Sequence, residues 1–114
     1  MPLNDWALAG NWIVTGGGAK LIDAGGRIAF RFHARDVNLV MGPGQKGDTV
    51  RFRVFIDGKA GSAVHGSDVD AQGQGTTSEQ RTYQLIRQPG ELEDRTFEIE
   101  FLDPGVEAYC FTFG

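Results

Sequence analysis

The sequence has little of what would mark it as a redox, membrane or helical protein. Its 114 residues include a single cysteine, Cys110, which excludes an intramolecular disulfide and a two-cysteine redox site within the chain. No apolar run approaches the roughly 20 residues of a transmembrane helix, and no stretch keeps a helical period between two caps. Because Cys110 lies in the apolar run 108–111, we expect its thiol to be buried as a small hydrophobe.

Positive charge is scarce as well. Lys and Arg number 11 against 15 Asp and Glu, which gives a formal net charge of −4, and the arginines are scattered among acidic residues. A phosphate backbone requires a concentrated basic surface, so nucleic acid is not an expected partner. Residues 1–5 lack the positive and apolar regions of a secretory signal, so we expect any export to be directed by sequence outside them.

Catalytic motifs are missing too. Ser62 and Ser67 each follow a glycine, but neither stands in the pattern of a nucleophile elbow. His33 and His65 are isolated in the sequence, with no cysteine near either, and therefore do not indicate a zinc site. Since no nucleophile, base or metal cluster assembles, we expect that the chain is not an enzyme.

Glycine, by contrast, is abundant, and its 17 residues gather in short groups that are typical of turns. Between these groups, segments 27–33, 50–56 and 96–101 alternate apolar and polar residues, as a strand with one buried face requires. Tyr109 and Phe111 are expected to share one face of a last strand with Phe113. Weaker strands are expected at 6–14, 19–22, 37–41 and 81–87.

About eight strands at this spacing predict an all-β fold, a two-sheet antiparallel jelly-roll sandwich that forms one domain over residues 1–114. The segment 59–80 shows no clear period. Loops of that length inside a small domain are usually functional, so this segment is the first place to expect a binding site.

Charged residues occupy the expected outer face of the three strongest strands. If the strands are neighbours, these charges form a cross-strand ladder. The alternative is a polar sheet face that hydrogen-bonds a sugar or an acidic ligand, with Arg31 and Arg53 in the binding set. The residues concerned are Arg31, Arg51, Arg53, Glu98 and Glu100.

The segment 68–79 resembles a calcium-binding loop in its spacing. Asp68, Asp70, Gln72 and Glu79 supply oxygens at positions one, three, five and twelve, and Gly73 stands at position six. The match is imperfect because Gln72 replaces the usual Asp or Asn and no helix flanks the loop. These residues predict a calcium site; the alternative is that the aspartates cap turns or pair with nearby arginines.

Aromatic rings offer a second type of ligand surface, because an exposed ring stacks on the apolar face of a sugar. Trp6 and Tyr83 are assigned to such a surface, whereas Trp12 is expected to pack in the core beside Ile13 and Val14. The predicted ligand-binding set is Trp6, Arg31, Arg53, Asp68, Asp70, Gln80 and Tyr83.

Segments 10–14, 81–87 and 97–114 together resemble the C-terminal domain that follows the thioredoxin-like domain in DipZ-type cytochrome c biogenesis and thiol-disulfide oxidoreductase proteins. The resemblance implies a β-sandwich similar to carbohydrate-binding modules. It also implies a bacterial, extracytoplasmic location and an adjacent thioredoxin-like domain as partner. The expected function is that of a non-catalytic accessory module that binds carbohydrate or cell-wall glycan; the alternative is a structural module that docks on the thioredoxin-like domain or its client.

Overall fold

The structure, a computed structural model, describes residues 6–15, 17–33, 36–45, 47–60, 65–87 and 94–113. All secondary-structure elements in these ranges are strands, and no helix there is long and apolar enough to cross a bilayer. The strands are β1 Trp6–Ala9, β2 Trp12–Thr15, β3 Gly18–Leu21, β4 Arg27–His33, β5 Asp36–Gly42, β6 Val50–Ile56, β7 Lys59–Ala60, β8 Gln74–Thr77, β9 Arg81–Arg87, β10 Asp94–Phe101 and β11 Glu107–Phe113.

The strands form two antiparallel sheets that enclose one apolar core. The first sheet has the order β1-β4-β10-β6-β7, with β8 also pairing with β6, and the second has the order β2-β3-β11-β5-β9. The chain passes repeatedly from one sheet to the other, as in a jelly roll. The predicted two-sheet antiparallel sandwich is confirmed, with eleven described strands where the sequence predicts about eight.

The three strands with the clearest alternation supply the first sheet's largest contribution to the core. Phe30 in β4, Phe52 in β6 and Phe97 in β10 are fully buried. Phe30 lies at the centre of an aromatic group, with its ring centroid 4.9 Å from that of Phe97 and 4.5 Å from that of Phe111. Trp12 packs edge-on against Phe101 at 5.8 Å, which confirms its expected place against the core.

The predicted strand at 6–14 is wrong in one respect, because it is two strands in different sheets. β1 pairs with β4, whereas β2 pairs with β3. The chain changes sheet at Gly10, whose φ of 106° lies in the region that favours glycine. A Cβ at this position would lie only 2.9 Å from the Cα of Gly26.

Two expectations for the last strand are also wrong. The pairing of β11 with β5 shifts by one residue between Ala108 and Cys110, which is the sign of a β-bulge. As a result Phe111 packs against the core while Cys110 is exposed. Tyr109 does not share a face with Phe111, since its ring lines a surface groove.

The segment 59–80 contains two short strands that the sequence does not signal. β7 and β8 both pair with β6. The residues of β8 are polar or glycine, so they show no apolar alternation. The described part of the segment also docks on β9, because Gly66 N donates to Leu85 O and Asp68 N donates to Gln84 O.

The outer face of the first sheet carries the expected charge ladder in part. Arg27 of β4 forms ion pairs with both Glu98 and Glu100 of β10. Arg51 instead pairs with Asp103, at 2.9 Å between Nη2 and Oδ1. The cross-strand arrangement therefore holds for the glutamates, with Arg27 as their principal partner.

The Arg51–Asp103 pair predicts a loss of stability in acid. Hydrogen bonds from the guanidinium and the backbone N–H of Arg51 lower the pKa of Asp103 to about 2. An unfolded Asp titrates near pH 4, so this stabilisation is fully present above about pH 4 and is lost as the pH falls towards 2. We expect Asp103→Asn to flatten the pH dependence of the free energy of unfolding in this window, measured by urea titration between pH 2 and 6.

The matched control is Asp48→Asn, which removes an exposed carboxylate that forms no ion pair with the described residues. An equal flattening in both variants would contradict the assignment to Asp103.

Candidate functional site

The candidate site is a groove on the second sheet, which we call the Tyr109 groove. It consists of two adjoining pockets of about 270 and 250 Å³ that share Glu107 and Tyr109. Together the pockets fall in the size range of small-ligand sites, roughly 300–1,000 Å³. The first is lined by the loops after β5 and β8, and the second lies over β2 and β3. Other residues that line it are Ile13, Lys20, Gln45, Ser78, Glu79 and Gln80.

The bulge in β11 places Tyr109 at the centre of this groove. The Tyr109 hydroxyl donates to Glu107 Oε2 at 2.6 Å, and this hydrogen bond, with burial, raises the pKa of Tyr109. Gly18 leaves room for the ring, because a Cβ there would lie 3.1 Å from Tyr109 Cδ1 and 2.6 Å from Ala108 O. The ring is half-buried and held in one orientation, with part of its surface open to the groove.

The turn 78–80 forms a polar wall of the groove and is fixed from beneath. The Tyr83 hydroxyl donates to Glu79 O at 2.6 Å, and the buried Thr77 hydroxyl donates to the same oxygen at 3.4 Å. Glu79 and Gln80 are exposed above these contacts. Gln80, predicted as a ligand residue, therefore lines the groove. Tyr83 is 1% exposed and offers no ring face to a ligand.

The remaining predicted ligand residues lie away from the groove. Arg31 and Arg53 belong to the first sheet, where Arg53 aligns with Glu100 in the register. Arg53 Nε is buried without a hydrogen-bond partner among the described residues. Trp6 begins β1, but its side chain lies outside the described part of the chain.

The carboxylates of the predicted calcium loop have other partners. Asp68 forms a two-point ion pair with Arg81, at 2.8 and 3.2 Å, and accepts from Gln84 N at 2.7 Å. Asp70 Oδ1 accepts from the backbone N–H groups of Gln72 and Gln74. Glu79 Oε1 lies 3.6 Å from Arg81 Nε. Within the described ranges, no group of three or more His, Cys, Asp or Glu residues is arranged to hold a metal ion.

This geometry predicts that calcium leaves the stability unchanged. We expect the midpoint of thermal unfolding to be the same in millimolar calcium and in chelator, because Asp68 and Asp70 are already hydrogen-bonded to arginine and backbone. We expect Asp70→Ala to lower the stability by about 1 kcal/mol in both conditions, through loss of the turn cap. A midpoint that rises with calcium in the original protein and not in Asp70→Ala would instead establish the calcium site.

Tyr109 and Glu107, which both pockets share, are among the groove residues that sequence reasoning does not assign to a site. The signal that could have found them is their spacing, because residues two apart on a strand lie on the same face. Glu107 is charged and is expected to face solvent, and strand alternation then places Tyr109 on the same solvent face. The apolar residues at 111 and 113 mask that signal, since the bulge that separates the two faces cannot be recognised in the sequence.

The chain is similar to known proteins in sequence family and in fold. A family model described as the thioredoxin-like C-terminal domain matches residues 1–114. No curated protein matches the sequence.

Several solved structures share the sandwich. A family two carbohydrate esterase from Clostridium thermocellum, in complex with cellohexaose, superposes with a TM-score of 0.74 at 14% identity, over 96% of this chain and 31% of the esterase. The family two esterase from Cellvibrio japonicus gives 0.71 at 12%, over 95% and 30%. A family 6 carbohydrate-binding module gives 0.53 at 14%, over 98% of this chain and 87% of the module. The chain thus spans about a third of the esterases, and at these identities the likeness concerns the fold.

Proposed function

Because the chain belongs to the thioredoxin-like C-terminal domain family, we propose that it is a non-catalytic accessory module of a thioredoxin-like redox protein and that it binds carbohydrate in the Tyr109 groove. The observation that carries the proposal is the half-buried Tyr109 ring at the junction of the two pockets. Aromatic surfaces of this kind stack on the apolar faces of sugar rings. In this function the module would hold its redox partner close to a glycan.

The surroundings of Tyr109 supply the polar contacts that a sugar needs. Ser78, Glu79 and Gln80 line the first pocket together with Tyr109, and Glu107 accepts the hydrogen bond of the Tyr109 hydroxyl. Their carboxylates and amide accept or donate hydrogen bonds to hydroxyl groups. A sheet surface with one fixed aromatic ring and several polar groups is typical of a small-ligand site. The cellohexaose bound to the Clostridium thermocellum esterase suggests cello-oligosaccharides as first probes.

The cellular setting of the proposal comes from the resemblance to DipZ-type proteins. We propose an extracytoplasmic location on the cell-wall side of a bacterial membrane, with cell-wall glycan as the natural ligand. An adjacent thioredoxin-like domain would supply the thiol-disulfide chemistry, because the single cysteine of this chain cannot form a two-cysteine site.

Binding is tested by titration calorimetry of the purified domain against cello-, xylo- and chito-oligosaccharides and soluble peptidoglycan fragments. We expect at least one to bind, and we expect Tyr109→Ala to weaken the binding of that ligand about five- to tenfold, because a stacked ring contributes roughly 1–1.5 kcal/mol. Tyr109→Phe keeps the ring and should retain most of the affinity. Arg53→Ala, on the opposite sheet, is the matched control.

Two outcomes would contradict this assignment. If no glycan binds, carbohydrate recognition is wrong. If a glycan binds and Arg31→Ala or Arg53→Ala weakens it while Tyr109→Ala does not, the ligand surface is the outer face of the first sheet.

A protein-docking role is the second candidate, and the edge strand β2 favours it. Val14 aligns with the buried Ala19 in the register, yet it is 66% exposed, and the neighbouring Ile13 is 54% exposed. Exposed apolar residues on an edge strand are typical of an interaction site. We expect a docked thioredoxin-like domain to protect the β2 amides from hydrogen exchange, and we expect Val14→Asp to abolish that protection. Unchanged exchange in the two-domain protein would contradict docking at β2.

A further inference from the structure

Glu107 is a half-buried carboxylate whose charge is not neutralised by the described residues. Its Oε2 accepts the Tyr109 hydroxyl, but no described Lys or Arg lies within ion-pair distance of it. Lys20 aligns with Glu107 in the register of β3 and β11 and is exposed to solvent without forming that pair. A partly buried anion favours a cationic or hydrogen-bond-donating partner.

Glu107 lines both pockets, and its second carboxylate oxygen, Oε1, lies near the loop after β5. A Cβ built at Gly44, in the loop after β5, would lie 3.6 Å from Glu107 Oε1. The same Cβ would lie 2.4 Å from Gly105 O, so the absence of a side chain at Gly44 lets the loop approach the backbone of Gly105 closely. No hydrogen bond to Oε1 comes from the described residues. A ligand atom that reached Oε1 from the first pocket would meet an acceptor with no hydrogen-bond partner among the described residues.

The charge of the described groove lining is negative. Glu79 and Glu107 both line the first pocket, and Lys20 is the one cation among the described lining residues of the two pockets. The guanidinium of Arg81 lies 3.6 Å from Glu79 but is engaged mainly with Asp68. A uronic acid in this groove would place a third carboxylate beside two others, which is unfavourable.

From this arrangement we infer that the Tyr109 groove selects oligosaccharides that carry free amines over neutral ones, and neutral ones over uronic acids, with Glu107 as the specificity-determining residue. The inference rests on the proposed carbohydrate binding and adds the chemical class of the ligand. An ammonium group in the first pocket would meet Glu107 Oε1 while the adjoining ring stacks on Tyr109. The second pocket, with its apolar Ile13 and Ala19, would receive the next sugar unit.

The test is a calorimetric comparison of three hexasaccharides: the hexamer of glucosamine, cellohexaose and hexagalacturonate, at a pH where the amines are charged and at low salt. We expect the glucosamine hexamer to bind about fivefold more tightly than cellohexaose, since a partly exposed charge pair contributes on the order of 1 kcal/mol. Hexagalacturonate should bind most weakly. The preference should diminish in 0.5 M salt.

Glu107→Gln is the decisive variant. It keeps an acceptor for the Tyr109 hydroxyl and removes the charge. The ratio of the affinity for the glucosamine hexamer to the affinity for cellohexaose should therefore fall to near one, while the affinity for cellohexaose changes little. Glu98→Gln makes the same charge change on the opposite sheet, where Arg27 retains Glu100, and should leave the preference intact.

The possible outcomes distinguish a failure of the amine selectivity from a failure of carbohydrate binding itself. Binding of cellohexaose and the glucosamine hexamer with equal affinity, or a preference that survives in Glu107→Gln, overturns the amine selectivity while carbohydrate binding stands. Equal loss of preference in both glutamate variants would reduce the effect to net charge and would overturn the role of Glu107. If none of the three hexasaccharides binds, the inference fails, and negative results across the broader glycan panel then remove the proposed function as well.

Discussion

Phe30→Ala is expected to lower the free energy of unfolding by about 3–5 kcal/mol, the range for a large aromatic residue removed from a protein core. Phe30 is fully buried and contacts the rings of Phe32, Phe97 and Phe111. Its strand β4 lies between β1 and β10 in the first sheet. The ring thus joins one sheet to the last strand of the other.

A cavity at Phe30 would weaken both sheets together, because Phe111 belongs to the second sheet. The expected loss is a large fraction of a typical total stability, which is about 5–15 kcal/mol. The loss of stability is measured by urea titration followed by tryptophan fluorescence. If the slope of the free energy of unfolding against urea concentration is unchanged, the compactness of the folded and unfolded states is unaffected.

Two further variants define the size of the effect. Phe30→Leu keeps most of the volume and should cost less than half as much as Phe30→Ala. Ile22→Ala removes a large apolar side chain that is exposed and should change the stability by less than about 0.5 kcal/mol. If Phe30→Ala were as mild as Ile22→Ala, the aromatic group would not be the centre of the core.

Asp68→Ala has the second largest expected effect, a loss of about 2 kcal/mol. The carboxylate joins the segment 65–73 to β9 through Arg81 and the backbone N–H of Gln84. It is mostly buried, with 19% of its side chain exposed. Alanine would remove the acceptor of the Gln84 N–H and the two-point ion pair of Arg81, and a hydrogen bond to a charged group contributes roughly 1.5–3 kcal/mol.

The ion pair also makes this contribution dependent on pH. The hydrogen bonds from Arg81 and from Gln84 N lower the pKa of Asp68, so its stabilisation is complete above the pKa of an unfolded Asp and disappears in stronger acid. Asp68→Asn retains an oxygen for Gln84 and should lose less than Asp68→Ala. Glu79→Gln, which removes the weaker and more exposed contact with Arg81, should change stability by less than about 0.5 kcal/mol. A larger loss in Glu79→Gln than in Asp68→Ala would reverse this assignment.

Strands with one buried face were predicted well because alternation reports burial directly. β4 and β6 follow the predicted ranges, and β9 matches its predicted ends at Arg81 and Arg87. β8 was not predicted because Gln74–Thr77 buries mainly Thr77 and has no apolar pattern. The division of the first predicted strand at Gly10 depends on a close approach to Gly26, a residue distant in sequence, so local reasoning could not locate it.

The site was predicted less well than the fold, for a physical reason. Sequence reasoning assigned Gln80 to a ligand-binding set and Glu79 to a calcium site, and both residues line the candidate groove. It could not determine which sheet each strand joins, and so it combined Arg31 and Arg53 with residues on the opposite side of the sandwich. The position of Tyr109 follows from a bulge, which is set by pairing with β5 rather than by any residue of β11 alone.

The order of strands has a consequence for how the protein folds. The pairings bring distant parts of the chain together: Phe97 aligns with Phe30, and Glu107 aligns with Lys20. Closing such long loops before the contacts form is entropically costly, and topologies of this type fold on the order of milliseconds to seconds. During synthesis, β3 cannot pair with β11 until β11 has left the ribosome. The Tyr109 groove is therefore assembled only after β11 has been synthesised, and until then the unpaired strand edges allow aggregation to compete with folding.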